Sequence, residues 1–178
     1  MAVDPDEYFE LSMDELREVA RFAVLGAQEV LGTFERALPG DPRPRAAVDA
    51  AWEFANGARR TNLQRTTGLD AHRAAKDAPT PAAKHAAHAA GDAASAAYLH
   101  PIAKADQLGH ILRADAHAAY AEELRTGDPA QAEQCIARAA ERATTALVGV
   151  LKRYPPAVGG RSRVSILMKA LDDELRMR

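Results

Sequence analysis

An alanine-rich stretch from Ala82 to Leu124, which carries five of the chain's six histidines, constrains the fold more than any other part of the sequence. Alanine is the strongest helix former because it loses no side-chain entropy in a helix and buries no polar group. Its small side chain also lets neighbouring helices approach closely. The stretch therefore predicts tightly packed helices with a polar face that bears the histidines.

Helical periodicity and capping signals predict six to seven helices along the chain and no strands. Breaks are expected where proline or glycine interrupts the pattern. The predicted helices cover residues 12–38, 44–55, 60–76, 82–98, 102–124 and 129–154, with a last helix after Ser162. We expect an all-α fold, either a single-domain helical bundle or a short helical-repeat array over residues 12–178, preceded by an acidic N-terminal arm over residues 1–11.

Length, charge and cysteine content restrict the classes of function. A chain of 178 residues suits one domain with a sizeable core, and a net charge of −2 gives no overall attraction to nucleic acid or anionic lipid. Cys135 is the single cysteine and cannot form an internal disulfide. The N-terminus lacks the features of a secretory signal, and no apolar run reaches the roughly 20 residues of a membrane span. We therefore expect a cytoplasmic protein without a membrane segment.

Two polar stripes are predicted in the alanine-rich stretch. One helix carries polar residues at i, i+3, i+7 and i+10, and the next helix carries them at i, i+4, i+7 and i+11. The stripes are His85, His88, Asp92 and Ser95, followed by Asp106, His110, Arg113 and His117. Because a short turn joins the two helices, we expect antiparallel neighbours whose stripes line one groove.

The residues alone leave two interpretations of this groove open. Imidazole and carboxylate groups at helical spacing suit zinc or iron, so a metal-dependent enzyme would use His85, His88, Asp92, Asp106, His110 and His117. The sequence has no His-Glu-x-x-His pattern, however, and spacing alone defines no complete ligand set. A polar face that meets solvent or a partner, without metal or cofactor, is the favoured interpretation. His72 is isolated in the sequence and is interpreted as structural or exposed.

Two other segments concentrate charge. The proline-rich loop at residues 39–44 leads into a helix, and its arginines either bind an anionic group of a partner or are held by an Asp–Arg pair; the residues are Asp41, Arg43 and Arg45. Positive charge is concentrated around the third predicted helix, at Arg59, Arg60, Arg65, Arg73 and Lys76. A nucleic-acid-associated protein is the weaker hypothesis, because stacking aromatics are missing there and Asp70 and Asp77 interrupt the basic patch. No catalytic residues are predicted.

Several segments resemble immunity proteins of bacterial polymorphic toxin systems, which are common in actinobacteria. The matching text is DELREVARFAVLGAQEVLGTFE, PGDPRPRAAVDAAWEFANG, AAYLHPIAKADQLGHILRADAHAAYAEEL and RATTALVGVLKRYPPA, in that order. The most distinctive parts are Gly40-Asp41-x-Arg43-Pro44-Arg45 and Tyr98-Leu99-His100-Pro101 with His110-Ile111-Leu112. Relatives often have histidine where this chain has Asp92.

The resemblance implies an all-helical, non-enzymatic cytoplasmic protein that neutralises a cognate toxin by binding it. The expected partner is a toxin domain, with no cofactor, and a homodimer through the last helix stays open. The residues expected to bind the partner are Asp41, Arg43, Arg45, His85, His88, Asp92, Asp106, His110, Arg113 and His117.

Overall fold

The structure, a computed structural model, describes residues 8–178 and confirms the all-α prediction. This part of the chain contains eight α-helices and no strand beyond one isolated antiparallel bridge between Tyr8 and Ile102. The helices are α1 (Met13–Ala37), α2 (Arg43–Ala55), α3 (Asn62–Asp77), α4 (Pro81–Ser95), α5 (Gly109–Thr126), α6 (Pro129–Arg142), α7 (Thr145–Leu151) and α8 (Arg163–Arg176). Short 3-10 turns follow α4 at Ala96–Tyr98 and precede α5 at Ala105–Leu108.

Local capping chemistry explains several helix ends. Ser12 and Glu15 form a capping box: the Ser12 hydroxyl accepts a hydrogen bond from the Glu15 amide at 3.1 Å, and the Glu15 carboxylate accepts one from the Ser12 amide at 2.9 Å. Gly127 ends α5 with a φ of 72°, a left-handed conformation that glycine adopts without strain. Asp128 then caps α6 by accepting the Ala130 amide at 3.0 Å.

Two predicted helices are wrong in their limits. The helix predicted over 129–154 is two helices, because the Thr144 hydroxyl accepts the Leu147 amide and starts α7 anew. The helix predicted from residue 102 becomes α-helical only at Gly109, after a 3-10 turn, and this change moves Asp106 off the α-helix. The described helices therefore number one or two more than expected.

The N-terminal segment attaches to the domain where the structure describes it. Most of the acidic arm predicted over residues 1–11 lies outside the described residues. The Phe9 amide donates to the Pro101 carbonyl at 3.1 Å, and the Phe9 ring meets Tyr154 edge-on at 5.0 Å. Within residues 8–178, none of the helices combines the length and hydropathy that crossing a membrane requires.

Helix α4 lies at the centre of the bundle and packs against α1, α2, α3 and α5. Its alanines are buried, which lets these neighbours approach closely, as the sequence predicts. The approach of α3 is close: a Cβ on Gly91 of α4 would lie 2.9 Å from the Gly68 carbonyl oxygen of α3. Helices α3 and α5 pack on either side of α4, and this arrangement leaves a groove above its polar face.

Candidate partner-binding groove

The groove has α4 as its floor, α3 along one side and α5 along the other. Helix α4 presents two faces of different chemistry, because alanine fills one and polar residues recur at helical spacing on the other. The alanine face is buried in the core, and the other face carries His85, His88, Asp92 and Ser95. Burial of the small residues therefore fixes which side chains line the groove.

Four histidines from three helices meet in the groove as two pairs. His72 on α3 and His88 on α4 face each other through Nδ1 atoms 2.9 Å apart. His85 on α4 and His117 on α5 do the same at 2.8 Å. The His88 and His117 rings stack with centroids 5.1 Å apart and join the two pairs. Two neutral imidazole nitrogens at this distance share one hydrogen bond, so one ring in each pair donates and the other accepts.

Asp92 lies between the pairs and is only 5% exposed. Its Oδ1 lies 3.5 Å from His72 Nε2, and its Oδ2 lies 3.6 Å from His117 Nε2. Oδ2 is buried and accepts no hydrogen bond from the described residues. We call this group the histidine–aspartate cluster; its members are His72, His85, His88, Asp92 and His117.

Burial sets the protonation of the histidine–aspartate cluster. It raises the pKa of Asp92 to about 7, although the charge of Arg113 acts in the opposite direction. Burial lowers the pKa of His88 to about 4 and that of His117 to about 2, and the neighbouring histidines lower both further. The pKa values of the other two cluster histidines are lowered by burial in the same way. The imidazoles are therefore mostly neutral at pH 7, whereas Asp92 titrates near neutrality.

A cavity of about 440 Å³ opens beside Asp92 at one end of the groove. We call it the Asp92 pocket; it is lined by Arg65, Gly68, Leu69, His72, Asp92, Ser95, Tyr98, His100 and Arg113. Tyr98 is held in place because its hydroxyl donates to the Thr61 carbonyl at 2.6 Å and its ring lies under the Arg60 guanidinium at 5.4 Å. The pocket therefore has a firmly positioned aromatic wall.

The histidine side chains of the histidine–aspartate cluster are directed at one another. In residues 8–178, no three His, Cys, Asp or Glu side chains are placed to hold one metal ion. The paired Nδ1 atoms point at each other, so their lone pairs and protons serve the histidine–histidine contacts. Of the six residues that a metal-dependent enzyme would use, four meet in the groove in this arrangement: His85, His88, Asp92 and His117.

The two remaining members of the second predicted stripe lie apart from the cluster. His110 interacts with the Ser95 backbone, and burial lowers its pKa. Asp106 lies on the 3-10 turn before α5 and its carboxylate accepts the Gln107 amide at 3.5 Å. The structure thus brings Arg113 and His117 to the groove and leaves Asp106 near His110.

The proline-rich loop is engaged in ion pairs within the chain. The Arg43 guanidinium contacts Asp41 at 2.5 Å and Asp77 at 2.7 Å, and so ties the start of α2 to the end of α3. Arg45 binds Glu35 of α1 through two hydrogen bonds of 2.8 and 2.9 Å. This arrangement favours the interpretation that an Asp–Arg pair holds the loop. A partner-binding role for these residues stays a prediction.

The basic residues around α3 serve different purposes. Arg73 pairs with Asp70 at 2.7 Å on the surface, and Arg60 donates to the Ala97 carbonyl at 3.0 Å. Arg65 instead lines the Asp92 pocket, a position that its place in the sequence does not predict. The predicted basic patch therefore consists of arginines in three different environments: a surface ion pair, a contact with a backbone carbonyl and the lining of a cavity.

Sequence reasoning also missed His72, which it treated as isolated. The residue is a full member of the cluster because α3 packs on α4 at the Gly68–Gly91 contact. Tyr120 was not singled out either, although its ring lies 4.6 Å from that of His85. The spacing of three residues from His117 to Tyr120 places both on one helix face, so the sequence contained a signal for Tyr120. It contained no such signal for His72.

The model of a family described as "Imm-5 like putative immunity protein" matches residues 10–146. That range contains the whole histidine–aspartate cluster and the whole Asp92 pocket. No curated protein and no solved structure matches the chain. Because the family model covers more than half of the sequence, the chain belongs to the Imm-5 like putative immunity protein family.

Proposed function

We propose that this protein neutralises a cognate bacterial toxin by binding the toxin domain directly, without catalytic turnover. Membership of an immunity protein family is the observation that carries the proposal. The binding surface that we propose is the groove over α4. Residues from α3, α4 and α5 converge there around a cavity of about 440 Å³, and concave sites with a few convergent polar groups are the usual places for ligands to dock.

The scaffold beneath the groove supports recognition by a preformed surface. The α4 alanines that form its underside are fully buried against neighbouring helices, and Tyr98 closes one end through two separate contacts. A preformed surface loses little conformational entropy on binding, which favours tight association. The proline-rich loop is a less suitable contact surface, because its charges are already neutralised by Asp77 and Glu35.

The groove chemistry favours binding over catalysis. The cluster histidines are hydrogen-bonded in pairs, and the pKa values of His88 and His117, about 4 and about 2, lie below the range in which an imidazole is a good general base at neutral pH. These features support a role in which the groove contributes shape and hydrogen-bonding groups.

A direct binding experiment tests the proposal. Candidate toxin domains taken from the neighbouring genes are titrated into the purified protein by isothermal calorimetry, and their toxicity is measured with and without the protein. We expect a stoichiometric complex and loss of toxicity. Absence of a complex at micromolar concentrations of both proteins contradicts direct binding.

A pair of tryptophan variants tests the position of the surface. Ser95→Trp places a large ring in the Asp92 pocket, whereas Gln134→Trp places the same ring on the exposed surface of α6. We expect S95W to weaken toxin binding at least 10-fold and Q134W to leave it unchanged. Equal binding by the two variants, with both folded by circular dichroism, contradicts the groove as the binding surface.

A further inference from the structure

The two arginines of the Asp92 pocket come from opposite sides of the groove. Arg65 lies on α3 and Arg113 lies on α5, while the floor between them is formed by Asp92 and Ser95 of α4. Because α3 and α5 flank α4, the two guanidinium groups border one cavity from two directions. This placement suits a ligand that sits between them.

Within residues 8–178, neither Arg65 nor Arg113 makes a hydrogen-bonded ion pair with a carboxylate, whereas most arginines of this chain do. Arg45, for comparison, makes two hydrogen bonds to Glu35 at 2.8 and 2.9 Å. Arg65 has no hydrogen bond or ion pair with any of the described residues. The nearest carboxylate oxygen to Arg113 is Asp92 Oδ1, at 3.9 Å from its Nη1, which is beyond hydrogen-bond distance. Two sets of guanidinium donors are therefore open toward the same cavity.

The fold makes room for Arg113 at this position. Its guanidinium lies over Gly109, where the Cβ of any other residue would collide with the Arg113 terminal nitrogens. Glycine at the start of α5 thus lets the arginine fold back along its own helix toward the pocket. The carboxyl group nearest to the Arg113 guanidinium is that of the buried Asp92, and the two groups are 3.9 Å apart.

The rest of the lining indicates what kind of anion fits. Leu69 and Tyr98 give the cavity an apolar side, which suits an aliphatic stem that leads to the charged group. The carboxyl group of Asp92 disfavours a dianion such as phosphate more strongly than a monoanion, because electrostatic repulsion scales with the product of charges. Two planar guanidinium groups match the two oxygens of a carboxylate.

We propose that the Asp92 pocket is a subsite that receives the carboxylate of an aspartate or glutamate side chain of the toxin domain, held between Arg65 and Arg113. This inference rests on the proposed function, since it names the chemistry of the partner at the same groove. It makes an acidic residue of the toxin the anchor of the interface, with its stem against Leu69 and Tyr98.

The affinity of the toxin domain for arginine variants tests the subsite. Arg65→Gln and Arg113→Gln keep hydrogen-bonding capacity and remove the charge, while Arg73→Gln, on the same helix as Arg65, changes an arginine that is already paired with Asp70. A charge-assisted pair at an interface is typically worth a factor of about 10 to 100 in affinity. We expect R65Q and R113Q each to weaken binding by such a factor, and R73Q to change it less than threefold. Equal affinities for all three variants overturn the subsite while leaving direct toxin binding intact.

A peptide titration separates the subsite from the proposed function. Hexaglutamate, hexalysine and inorganic phosphate are titrated separately into the labelled protein, and the Arg Nε–H resonances are followed by nuclear magnetic resonance. We expect hexaglutamate to shift the Arg65 and Arg113 resonances and R113Q to weaken that binding at least fivefold. A response to hexalysine or phosphate alone, or no response to hexaglutamate, overturns the subsite. If the toxin domain fails to bind wild-type protein while hexaglutamate binds as expected, the proposed function fails and the anion site stands.

Discussion

His85 on α4 and His117 on α5 face each other with their Nδ1 atoms 2.8 Å apart, and this contact joins the two helices across the groove. His117 also directs its Nε2 at Asp92 Oδ2, at 3.6 Å. His72 and His88 repeat the arrangement on the α3 side, where His72 Nε2 lies 3.5 Å from Asp92 Oδ1. One carboxyl group therefore faces the outer nitrogen of one histidine in each pair.

This geometry predicts a defined set of histidine tautomers. A carboxylate favours an N–H group on the nitrogen that faces it, so His72 and His117 should carry their proton on Nε2. Their Nδ1 atoms then accept, and His85 and His88 must donate from Nδ1–H. Nitrogen chemical shifts of the four rings at pH 7.5 measure the tautomers directly. A mixture of tautomers at all four residues contradicts the prediction, and Asp92→Asn should abolish the preference in the folded protein.

Local spacing explains which groove residues could be found in the sequence. His85, His88 and Asp92 lie within two turns of one helix, so the helical period alone places them on one face. His72 could not be found in this way, because 16 residues separate it from His88. Its position depends on the close approach of α3 to α4 at Gly91, and that approach is a property of the packed structure.

The second stripe shows the same division between local and tertiary information. Arg113 and His117 reach the groove because they lie one turn apart on α5, as the spacing predicts. Asp106 fails to join them because the 3-10 turn before α5 changes the rotation per residue. The boundary between α6 and α7 could have been predicted from the sequence, because Thr144 is a favoured N-cap residue. The all-α class was predictable because alanine content and capping signals act over short distances.

Acid should destabilise the protein, and Asp92 should reduce the effect. The cluster histidines have folded-state pKa values below the ordinary value of 6.5, so below that pH the unfolded chain binds protons that the folded chain excludes. Each proton bound only by the unfolded state lowers the free energy of unfolding by about 1.4 kcal/mol per pH unit. Asp92 and Asp115 act in the opposite direction, because burial raises their folded-state pKa values to about 7 and about 6. The pKa values of His88 and His117 lie furthest below 6.5, and the lowered pKa values of His72 and His85 act in the same direction, so we expect a net loss of stability in acid.

Urea unfolding at pH 7.5, 6.5 and 5.5 measures this balance. We expect the unfolding midpoint of the wild-type protein to fall across the series, and that of Asp92→Asn to fall more steeply, because the asparagine takes up no proton. The groups that face Asp92 are His72 from α3 and Arg113 and His117 from α5. Parallel midpoints for the two proteins would show that Asp92 keeps an ordinary pKa.

Gly91 should be essential for the contact between α3 and α4. A Cβ at this position would lie 2.9 Å from the Gly68 carbonyl oxygen and 2.8 Å from His72 Nε2. Gly91→Ala should therefore separate the two helices and destabilise the fold by about 1–3 kcal/mol, despite the better helix propensity of alanine. Gly149→Ala on α7 is the matched control, since a Cβ there meets nothing within 4 Å. We expect G149A to stabilise the protein by up to about 1 kcal/mol in urea unfolding, and a stabilising G91A would contradict the tight contact.

Breaking the buried ion pair of Asp115 and Arg142 should destabilise the protein, mainly because it leaves one charged group buried without a counter-charge. Asp115 is 4% exposed, and burial raises its pKa to about 6 against the lowering effect of Arg142. Arg142 also donates to the Phe22 carbonyl at 3.2 Å and lies over the Phe22 ring at 4.8 Å. Replacing Arg142 by methionine keeps much of the side-chain volume and leaves the carboxyl group buried without a counter-charge. We expect R142M to lower the free energy of unfolding by about 3–5 kcal/mol.

Two further variants separate this effect from a general loss of charge. Arg73→Met breaks an ion pair with Asp70 in which the two side chains are 65% and 38% exposed, and surface pairs of this kind contribute less than about 1 kcal/mol. Asp115→Leu added to R142M replaces the isolated carboxyl group with an apolar side chain that has the same number and branching of heavy atoms. The double variant should therefore recover most of the stability lost in R142M, because a well-packed apolar pair no longer carries the desolvation cost of the carboxylate. If the double variant is as unstable as R142M, the loss comes from packing around Phe22 and not from the unpaired charge.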